Sequence, residues 1–154
     1  MAWDDLVHIL IVDDRPENLM ALEAVLTHSQ CRIVKALSGE VALKCLLREE
    51  FALILLDVQM PGIDGFETAM LIKKREKHQE IPILFITASH KDELFSKRGY
   101  EVGGVDYIYK PFDSNSLRAK VAVFVSLYRK SKEADERAYL LVENQKKDPR
   151  PKVS

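Results

Sequence analysis

The sequence is 154 residues long and 47% hydrophobic, which is enough for one domain with a substantial apolar core. Its 23 Lys and Arg nearly balance 24 Asp and Glu, and the formal net charge of -1 argues against a protein built mainly to bind nucleic acid. The first residues lack the basic start of a signal peptide, and the longest apolar runs are too short to cross a bilayer. Cys31 and Cys45 have no metal-binding spacing. We therefore expect a cytoplasmic protein without membrane attachment.

Five short apolar runs, which we predict to be β-strands, alternate with longer segments of helical spacing. Alternation of this kind is typical of an α/β fold with a parallel sheet and right-handed crossovers. The second and fifth runs contain charged or tyrosine side chains, as expected at the edges of a sheet, whereas the other three are typical of central strands. The pattern predicts a flavodoxin-like, doubly wound (βα)5 fold with strand order 2-1-3-4-5. In chain order the predicted strands are His8–Val12, Cys31–Ala36, Leu53–Leu56, Ile83–Ile86 and Asp106–Tyr109.

Apolar residues three and four positions apart predict five helices, one after each strand. Pro16 suits the first turn of the first helix, where a missing N–H leaves no bond unmade, and Ser38 suits the N-cap of the second. The residues that form these helical stripes, helix by helix, are Leu19, Leu22 and Leu26, then Leu43, Leu46 and Leu47, then Phe66, Ala69 and Met70, then Leu94, Phe95 and Arg98, and finally Leu117, Val121, Phe124, Val125 and Tyr128.

The composition changes after Tyr128, where apolar side chains become sparse. The segment Lys130–Lys147 is rich in Lys, Glu, Arg, Ala and Leu and contains neither Gly nor Pro. We therefore predict that the fifth helix begins near Ser114 and continues unbroken to the end of this segment. The chain divides into a domain of residues 1–129 and a helical extension, or linker to an output domain, of residues 130–154.

A long helix with little to bury is marginal in water unless something pairs with it. The second half of the fifth helix has a weak coiled-coil seam, formed by Leu127, Ala134, Ala138 and Leu141 and interrupted by Ser131 and Gln145. We therefore predict a parallel homodimer in which two extensions pair and the fourth helix, fifth strand and fifth helix make contact. Asp106 and Lys120 are candidate ion-pair partners between the two copies.

Polar residues stand at the ends of four of the five predicted strands. Asp13 and Asp14 end the first strand, Asp57 the third, Thr87 the fourth and Lys110 the fifth. Because the carboxyl ends of parallel strands meet at one edge, we expect these side chains around the crevice between strands 1 and 3, where the strand order reverses. Each feature alone is common in turns and helix caps, but their joint order along the chain favours a functional site.

Carboxylates that converge in one crevice repel one another, and a hard divalent cation relieves that repulsion. Mg²⁺ prefers oxygen ligands and commonly combines one or two carboxylates with phosphate oxygens. The cluster therefore predicts a Mg²⁺ site that is completed by a phosphoryl group. Lys110 would bring a positive charge to a phosphoryl oxygen and Thr87 would donate its hydroxyl, while Asp57, flanked by Leu56 and Val58, is the expected nucleophile.

Four segments resemble the receiver domain of bacterial two-component response regulators, over about residues 6–129. They are Ile11–Pro16, Leu56–Gly65, Ile86–Ala88 and Asp106–Phe112. The resemblance implies a signalling switch in which Asp57 accepts a phosphoryl group from a sensor histidine kinase or a phosphotransfer protein. It implies no substrate turnover beyond the chain's own phosphorylation and dephosphorylation. The nearly balanced charge of the sequence separately predicts no direct contact with nucleic acid.

The resemblance also implies a role for each residue that matches the family's motifs. The Mg²⁺ site would be formed by Asp14, Asp57, the Gln59 backbone carbonyl and, through water, Asp13. Thr87 and Lys110 would bind the phosphoryl oxygens, and the peptide bond between Lys110 and Pro111 would be cis. Tyr107 would be the aromatic switch residue, coupled through Thr87 to the face formed by the fourth helix, fifth strand and fifth helix.

Two other classes of protein share parts of this pattern. A phosphatase of the haloacid-dehalogenase type also forms an aspartyl phosphate with Mg²⁺, but it needs two acids two residues apart on its first strand, whereas Asp13 is followed by Asp14 and Arg15. A flavin-binding domain shares the architecture, but an acidic crevice is unfavourable for an anionic cofactor. The segments Asp14–Leu19 and Leu127–Lys130 resemble receivers joined to histidine kinases or diguanylate cyclases, so the output stays open.

Overall fold

The computed structural model describes residues 6–27, 30–88, 97, 101 and 106–147 of the chain. Five parallel strands form one sheet in the order β2-β1-β3-β4-β5. This arrangement confirms the predicted flavodoxin-like α/β fold and its strand order. The strands are β1 Val7–Val12, β2 Cys31–Ala36, β3 Leu53–Asp57, β4 Ile83–Thr87 and β5 Asp106–Tyr109.

Helices pack on both faces of the sheet. The last helix has 34 residues and runs without a break, as predicted. The predicted fourth helix, with Leu94, Phe95 and Arg98, lies outside the described residues. Among the helices that the structure describes, none combines the length and the apolar composition needed to span a membrane. The helices are α1 Pro16–Leu26, α2 Gly39–Arg48, α3 Gly65–Lys73, the short 3₁₀ helix Glu76–His78 and the C-terminal helix Ser114–Lys147.

A proline and two side-chain caps mark the first turns of the helices that follow β1, β2 and β3. Pro16 is the first residue of α1, as predicted. The Ser38 hydroxyl accepts a hydrogen bond from the Val41 N–H at 3.1 Å, and the Asp64 carboxylate accepts one from the Glu67 N–H at 2.8 Å. Both bonds satisfy N–H groups that a helix leaves without an internal partner. The helices α2 and α3 therefore each begin at a side-chain cap.

The sheet separates two apolar cores, because successive side chains of a strand point to opposite faces. One core lies against α1 and the C-terminal helix, and the other lies against α2 and α3. Every residue of β3 and β4 is buried, which explains why these strands appear in the sequence as continuous apolar runs. The first core includes Ile9, Ile11, Leu19, Leu22, Leu55, Leu117 and Val121, and the second includes Leu10, Val12, Leu46, Leu56, Phe66, Ile72 and Phe85.

Two apolar residues of the predicted helical stripes face solvent. Leu47 in α2 is 56% exposed and Met70 in α3 is 46% exposed. The helix α2 instead buries Ala42 together with Leu46, and α3 buries Ile72. Consecutive helical residues are rotated by about 100° around the axis, so the neighbour of a buried residue can face solvent. The final rotation of each helix depends on how it packs against the sheet.

Leu46 and Leu47 provide a matched test of this packing. Leu46→Ala is expected to lower the free energy of unfolding by about 2–5 kcal/mol, because it removes buried methyl groups and leaves a cavity. Leu47→Ala is expected to change the same quantity by less than about 0.5 kcal/mol, because its side chain is largely in solvent. Urea denaturation followed by circular dichroism measures both values. Equal losses would show that α2 is rotated away from the orientation described.

Candidate functional site

The polar residues at the strand ends lie at one edge of the sheet, as predicted. Asp13 and Asp14 follow β1 directly, Asp57 and Thr87 are the last residues of β3 and β4, and Lys110 follows β5. The strand order reverses between β1 and β3, which is where ligands bind in open sheets of this kind. One carboxylate oxygen from each of Asp13, Asp14 and Asp57 lies within 4.8 Å of the other two.

Asp13 is almost completely buried, with 1% of its surface exposed. Its Oδ1 accepts the Arg15 N–H at 3.0 Å, and the Asn18 amide nitrogen lies 3.3 Å from Oδ1 and 3.2 Å from Oδ2. The N–H of Asp13 donates to the Ala36 carbonyl at 3.1 Å, which ties the end of β1 to β2. The sequence pattern did not assign Asn18 to the site, although a polar residue in the first helical turn after two acids was a usable signal.

Lys110 lies between two of the three acids. Its Nζ is 3.4 Å from Asp13 Oδ2 and 3.6 Å from Asp57 Oδ1. Its backbone N–H donates to the Thr87 carbonyl at 2.8 Å, so the end of β4 helps to position the lysine. The peptide bond between Lys110 and Pro111 is cis, which confirms the expectation from the sequence. One ammonium group therefore contacts two buried carboxylates.

Asp57 is 5% exposed and ends a strand that is buried at every position. The pKa of its carboxyl group is raised from 3.8 to about 6, first by burial and then by the negative charges of Asp13 and Asp14, against the lowering effect of the Lys110 ammonium. A cation bound beside these acids would lower this pKa again, because it favours the ionised form. The electrostatics of the edge therefore favour a bound cation.

The loop after β3 packs tightly against Asp57. The Gly65 N–H donates to the Val58 carbonyl at 2.8 Å. A Cβ atom on Gly65 would lie 2.3 Å from the Asp57 carbonyl oxygen and 2.8 Å from the Val58 Cα. Glycine is required at this position by the close approach of two backbone segments. Gln59, whose carbonyl the resemblance implicates in metal binding, lies at the exposed start of this loop.

The two predicted switch residues, Thr87 and Tyr107, are buried, with 1% and 5% of their surfaces exposed. The centroid of the Tyr107 ring lies 5.5 Å from that of Phe85 and 6.0 Å from that of Tyr109, on which it stacks. Phe85 and Tyr107 are register partners on β4 and β5. The tyrosine ring therefore belongs to the core beside α2 and α3. The fourth helix of the predicted switch face lies outside the described residues.

Asp106 and Lys120 form an ion pair within one chain, with 2.7 Å between Lys120 Nζ and Asp106 Oδ2. Lys120 Nζ also donates to the Tyr107 carbonyl at 3.3 Å. We predicted these two residues as ion-pair partners at the dimer face, and within one chain they already pair with each other because β5 and the C-terminal helix lie side by side. A pair between two copies stays a prediction.

The chain is similar to known proteins in both sequence and structure. The response regulator receiver domain family matches residues 9–122 of the chain. The response regulator PleD of Caulobacter vibrioides is 38% identical over 115 residues, which cover 73% of this chain and 25% of that protein. The alkaline phosphatase synthesis transcriptional regulatory protein PhoP of Bacillus subtilis is 40% identical over 114 residues, which cover 73% and 46%. The solved structure of the Vibrio cholerae chemotaxis protein CheY4 has a TM-score of 0.71 at 25% identity, covering 75% of this chain and 96% of that one.

The chain therefore belongs to the receiver domain family of response regulators. A receiver domain is the phosphorylation-dependent switch of a two-component system, and that class of function holds for this chain. The phosphatase and flavin-binding alternatives gain no support from these matches. The chain spans 25% of the length of PleD and 46% of that of PhoP, so the names of those proteins describe more than the segment they share with it.

The raised pKa of Asp57 makes stability depend on pH in a definite direction. The Asp57 carboxyl group holds its proton more tightly in the folded chain than in the unfolded chain. The metal-free protein is therefore expected to lose stability as pH rises from about 4 to about 6. Asp57→Asn removes this loss. The free energy of unfolding of the variant, relative to that of wild type, should therefore rise by about 1–2 kcal/mol between pH 4 and pH 7. Urea titrations in a chelating buffer measure the difference.

Asp64→Asn is the matched control for that measurement, because asparagine keeps the N-cap of α3. Its stability change relative to wild type gives the effect of removing a nearby carboxylate that caps a helix, and the gain of Asp57→Asn with pH should exceed it. A gain for Asp57→Asn that does not change with pH would show that the folded protein leaves the Asp57 carboxyl group at its ordinary pKa.

Proposed function

We propose that Asp57 is the phosphoacceptor of this receiver domain, and that its phosphorylation depends on Mg²⁺. The observation that carries the proposal is the convergence of Asp13, Asp14 and Asp57 within 4.8 Å of one another, with Lys110 between two of them. The donor would be the phosphohistidine of a sensor histidine kinase or a phosphotransfer protein. Beyond its own phosphorylation and dephosphorylation, the chain would turn over no substrate.

The proposed transfer needs positioning and charge neutralisation more than it needs further covalent chemistry. An oxygen of Asp57 forms a bond to phosphorus, the bond between phosphorus and the donor nitrogen breaks, and the electron pair stays with the donor imidazole, which takes up a proton from solvent. Lys110, already 3.6 Å from Asp57, would then bind a phosphoryl oxygen. The Thr87 hydroxyl, at the end of the neighbouring strand, would donate to another.

The donor set fits Mg²⁺, which prefers oxygen ligands and keeps several of its waters. We assign Asp14, Asp57 and the Gln59 carbonyl as direct ligands and Asp13 as a partner through water. Asp14 is half-buried and Gln59 is exposed, so solvent reaches the side of the site at which a hydrated ion would enter. The bound ion would neutralise the carboxylates and the incoming phosphoryl oxygens.

The proposed switch connects Thr87 with Tyr107 across neighbouring strands. Movement of the Thr87 hydroxyl toward a phosphoryl group would change the space available to the Tyr107 ring, and so would bias two arrangements of the face formed by the fourth helix, β5 and the C-terminal helix. A protein partner or a further domain would read that face. We infer a cytoplasmic signalling role without direct contact with nucleic acid or membrane.

We also propose that the helical extension, residues 130–154, joins two copies in a parallel dimer and carries the signal onward. The Lys132 ammonium lies 2.9 Å from Glu50 Oε2 and holds the start of the extension against the domain. Beyond that contact the helix exposes apolar side chains. Their exposed fractions lie between 49% and 64%, and the residues are Tyr139, Leu140, Leu141 and Val142. A second helix would cover part of this surface.

The phosphoacceptor assignment is tested with a small phosphodonor such as acetyl phosphate. In the presence of Mg²⁺ the chain should gain a single phosphoryl group, which hydroxylamine removes because it is an acyl phosphate. Asp57→Ala should remain at the background level, whereas the nearby Asp64→Asn should be labelled as wild type is. Intact-protein mass spectrometry measures the added phosphoryl group. Equal labelling of Asp57→Ala and wild type would place the acceptor elsewhere.

The dimer is tested with a matched pair of neighbouring residues. Leu141 lies on the predicted seam, so Leu141→Glu would bury a charge and should weaken dimerisation about tenfold or more. Leu140 is similarly exposed but lies off the seam, so Leu140→Glu should have little effect. Light scattering over a range of concentrations, with and without phosphorylation, measures the dissociation. A wild-type monomer under every condition would show that the extension is only a linker.

A further inference from the structure

Asn18 is a polar side chain that touches the site but has no role in the chemistry described so far. It is half-buried in the first turn of α1, and its amide nitrogen lies 3.3 Å from Asp13 Oδ1 and 3.2 Å from Asp13 Oδ2. An amide nitrogen donates hydrogen bonds and an ionised carboxylate only accepts them. The opposite orientation would place the Asn18 oxygen against the carboxylate, so one amide group faces both oxygens of a buried acid.

The start of α1 holds Asn18 in place. The Arg15 carbonyl accepts the N–H groups of Asn18 at 3.1 Å and of Leu19 at 3.3 Å, which forms the first helical turn. Leu19 is 3% exposed and anchors that turn on the sheet, whereas Met20 is 70% exposed. The turn therefore combines a fixed backbone with a side chain directed at Asp13. Its position comes from packing, because the anchoring residue lies in the core.

The lysine beside Asp13 is shared with a second acid. Lys110 Nζ lies 3.4 Å from Asp13 Oδ2 and 3.6 Å from Asp57 Oδ1. A phosphoryl group on Asp57 would give Lys110 a further anion to bind, which would weaken its contact with Asp13. The Asn18 amide is uncharged, so a phosphoryl group would attract it less. Asp13 would then depend on the Asn18 amide and the Arg15 N–H to hold its carboxylate in one orientation.

We propose that Asn18 is a positioning residue for Mg²⁺ binding, which acts by holding the Asp13 carboxylate in the orientation that stabilises the hydrated ion. This inference rests on the proposed function, in which Asp13 acts on Mg²⁺ through water. Asn18 itself is not a ligand. Groups that orient a metal-site ligand commonly contribute roughly ten- to hundredfold to metal affinity. Because Asp13 acts through water, we expect a value near the lower end, about tenfold.

The experiment measures Mg²⁺ affinity by isothermal titration calorimetry of the full chain, with Mg²⁺ alone as the probe. Asn18→Leu keeps the size of the side chain and removes the donor, so it should weaken Mg²⁺ binding about tenfold. Asn18→Gln returns an amide on a longer side chain and should restore part of the affinity. Met20→Leu, two residues away and exposed, should match wild type. If Asn18→Leu does not fold, Asn18→Ser removes the same donor from a smaller side chain.

A double-mutant cycle separates positioning through Asp13 from a general effect on α1. In an Asp13→Ala background, Asn18→Leu should cause no further loss of Mg²⁺ affinity, because the group that it orients is gone. Urea denaturation of each variant without metal gives the stability change that a purely structural role would produce. Acetyl phosphate labelling of Asn18→Leu at saturating Mg²⁺ should approach the wild-type extent.

The outcomes distinguish this inference from the proposed function. Wild type that neither binds Mg²⁺ nor accepts a phosphoryl group would overturn both. Wild type that does both, with Asn18→Leu and Asn18→Ser binding Mg²⁺ as tightly as wild type, would overturn the role of Asn18 alone. The same conclusion would follow if Asn18→Leu weakened Mg²⁺ binding equally with and without Asp13. A tenfold loss that disappears in the Asp13→Ala background supports the positioning role.

Discussion

The edge that carries the candidate site depends on one constraint, which is the repulsion among three carboxylates at the ends of two neighbouring central strands. Adjacent strands lie about 4.8 Å apart, so acids at the ends of β1 and β3 cannot avoid one another. Lys110, the Arg15 N–H and the Asn18 amide offset the charge of Asp13. The pKa of Asp57 is raised, first by burial and then by the charges of Asp13 and Asp14. A bound cation or a phosphoryl group would change that balance of charge.

The remainder of the domain keeps these charges in place. Residues of β3 and β4 are buried throughout, so the strands that carry Asp57 and Thr87 cannot shift without exposing apolar surface on two faces. Gly65 allows the loop after β3 to lie against the backbone of Asp57, and the Asp64 cap starts α3 immediately beside it. The acids are therefore presented by rigid elements and short connections. The repulsion is tolerated because a large apolar core opposes it.

Contacts continue from this edge to the other end of the molecule. The Thr87 carbonyl accepts the Lys110 N–H. The strand β5, which ends just before Lys110, carries Tyr107 into the core. The pair formed by Asp106 and Lys120 then links β5 to the C-terminal helix. The same helix reaches the amino-terminal end of the sheet, where Tyr128 and Lys132 contact Glu50, which precedes β3. One continuous helix thus touches the strand beside the site and projects the extension away from it.

Much of this protein was determined by its sequence alone. Apolar runs located the strands, their composition ordered them in the sheet, and polar residues at strand ends, from Asp13 to Lys110, identified the edge that carries the site. These features are local or follow from the rules of parallel sheets. Tertiary structure decided which of Leu46 and Leu47 is buried, that Asp106 pairs with Lys120 in the same chain, and that Asn18 meets Asp13. Each of these depends on the rotation of a helix about its own axis, which is set by packing against distant segments and not by the residues of the helix.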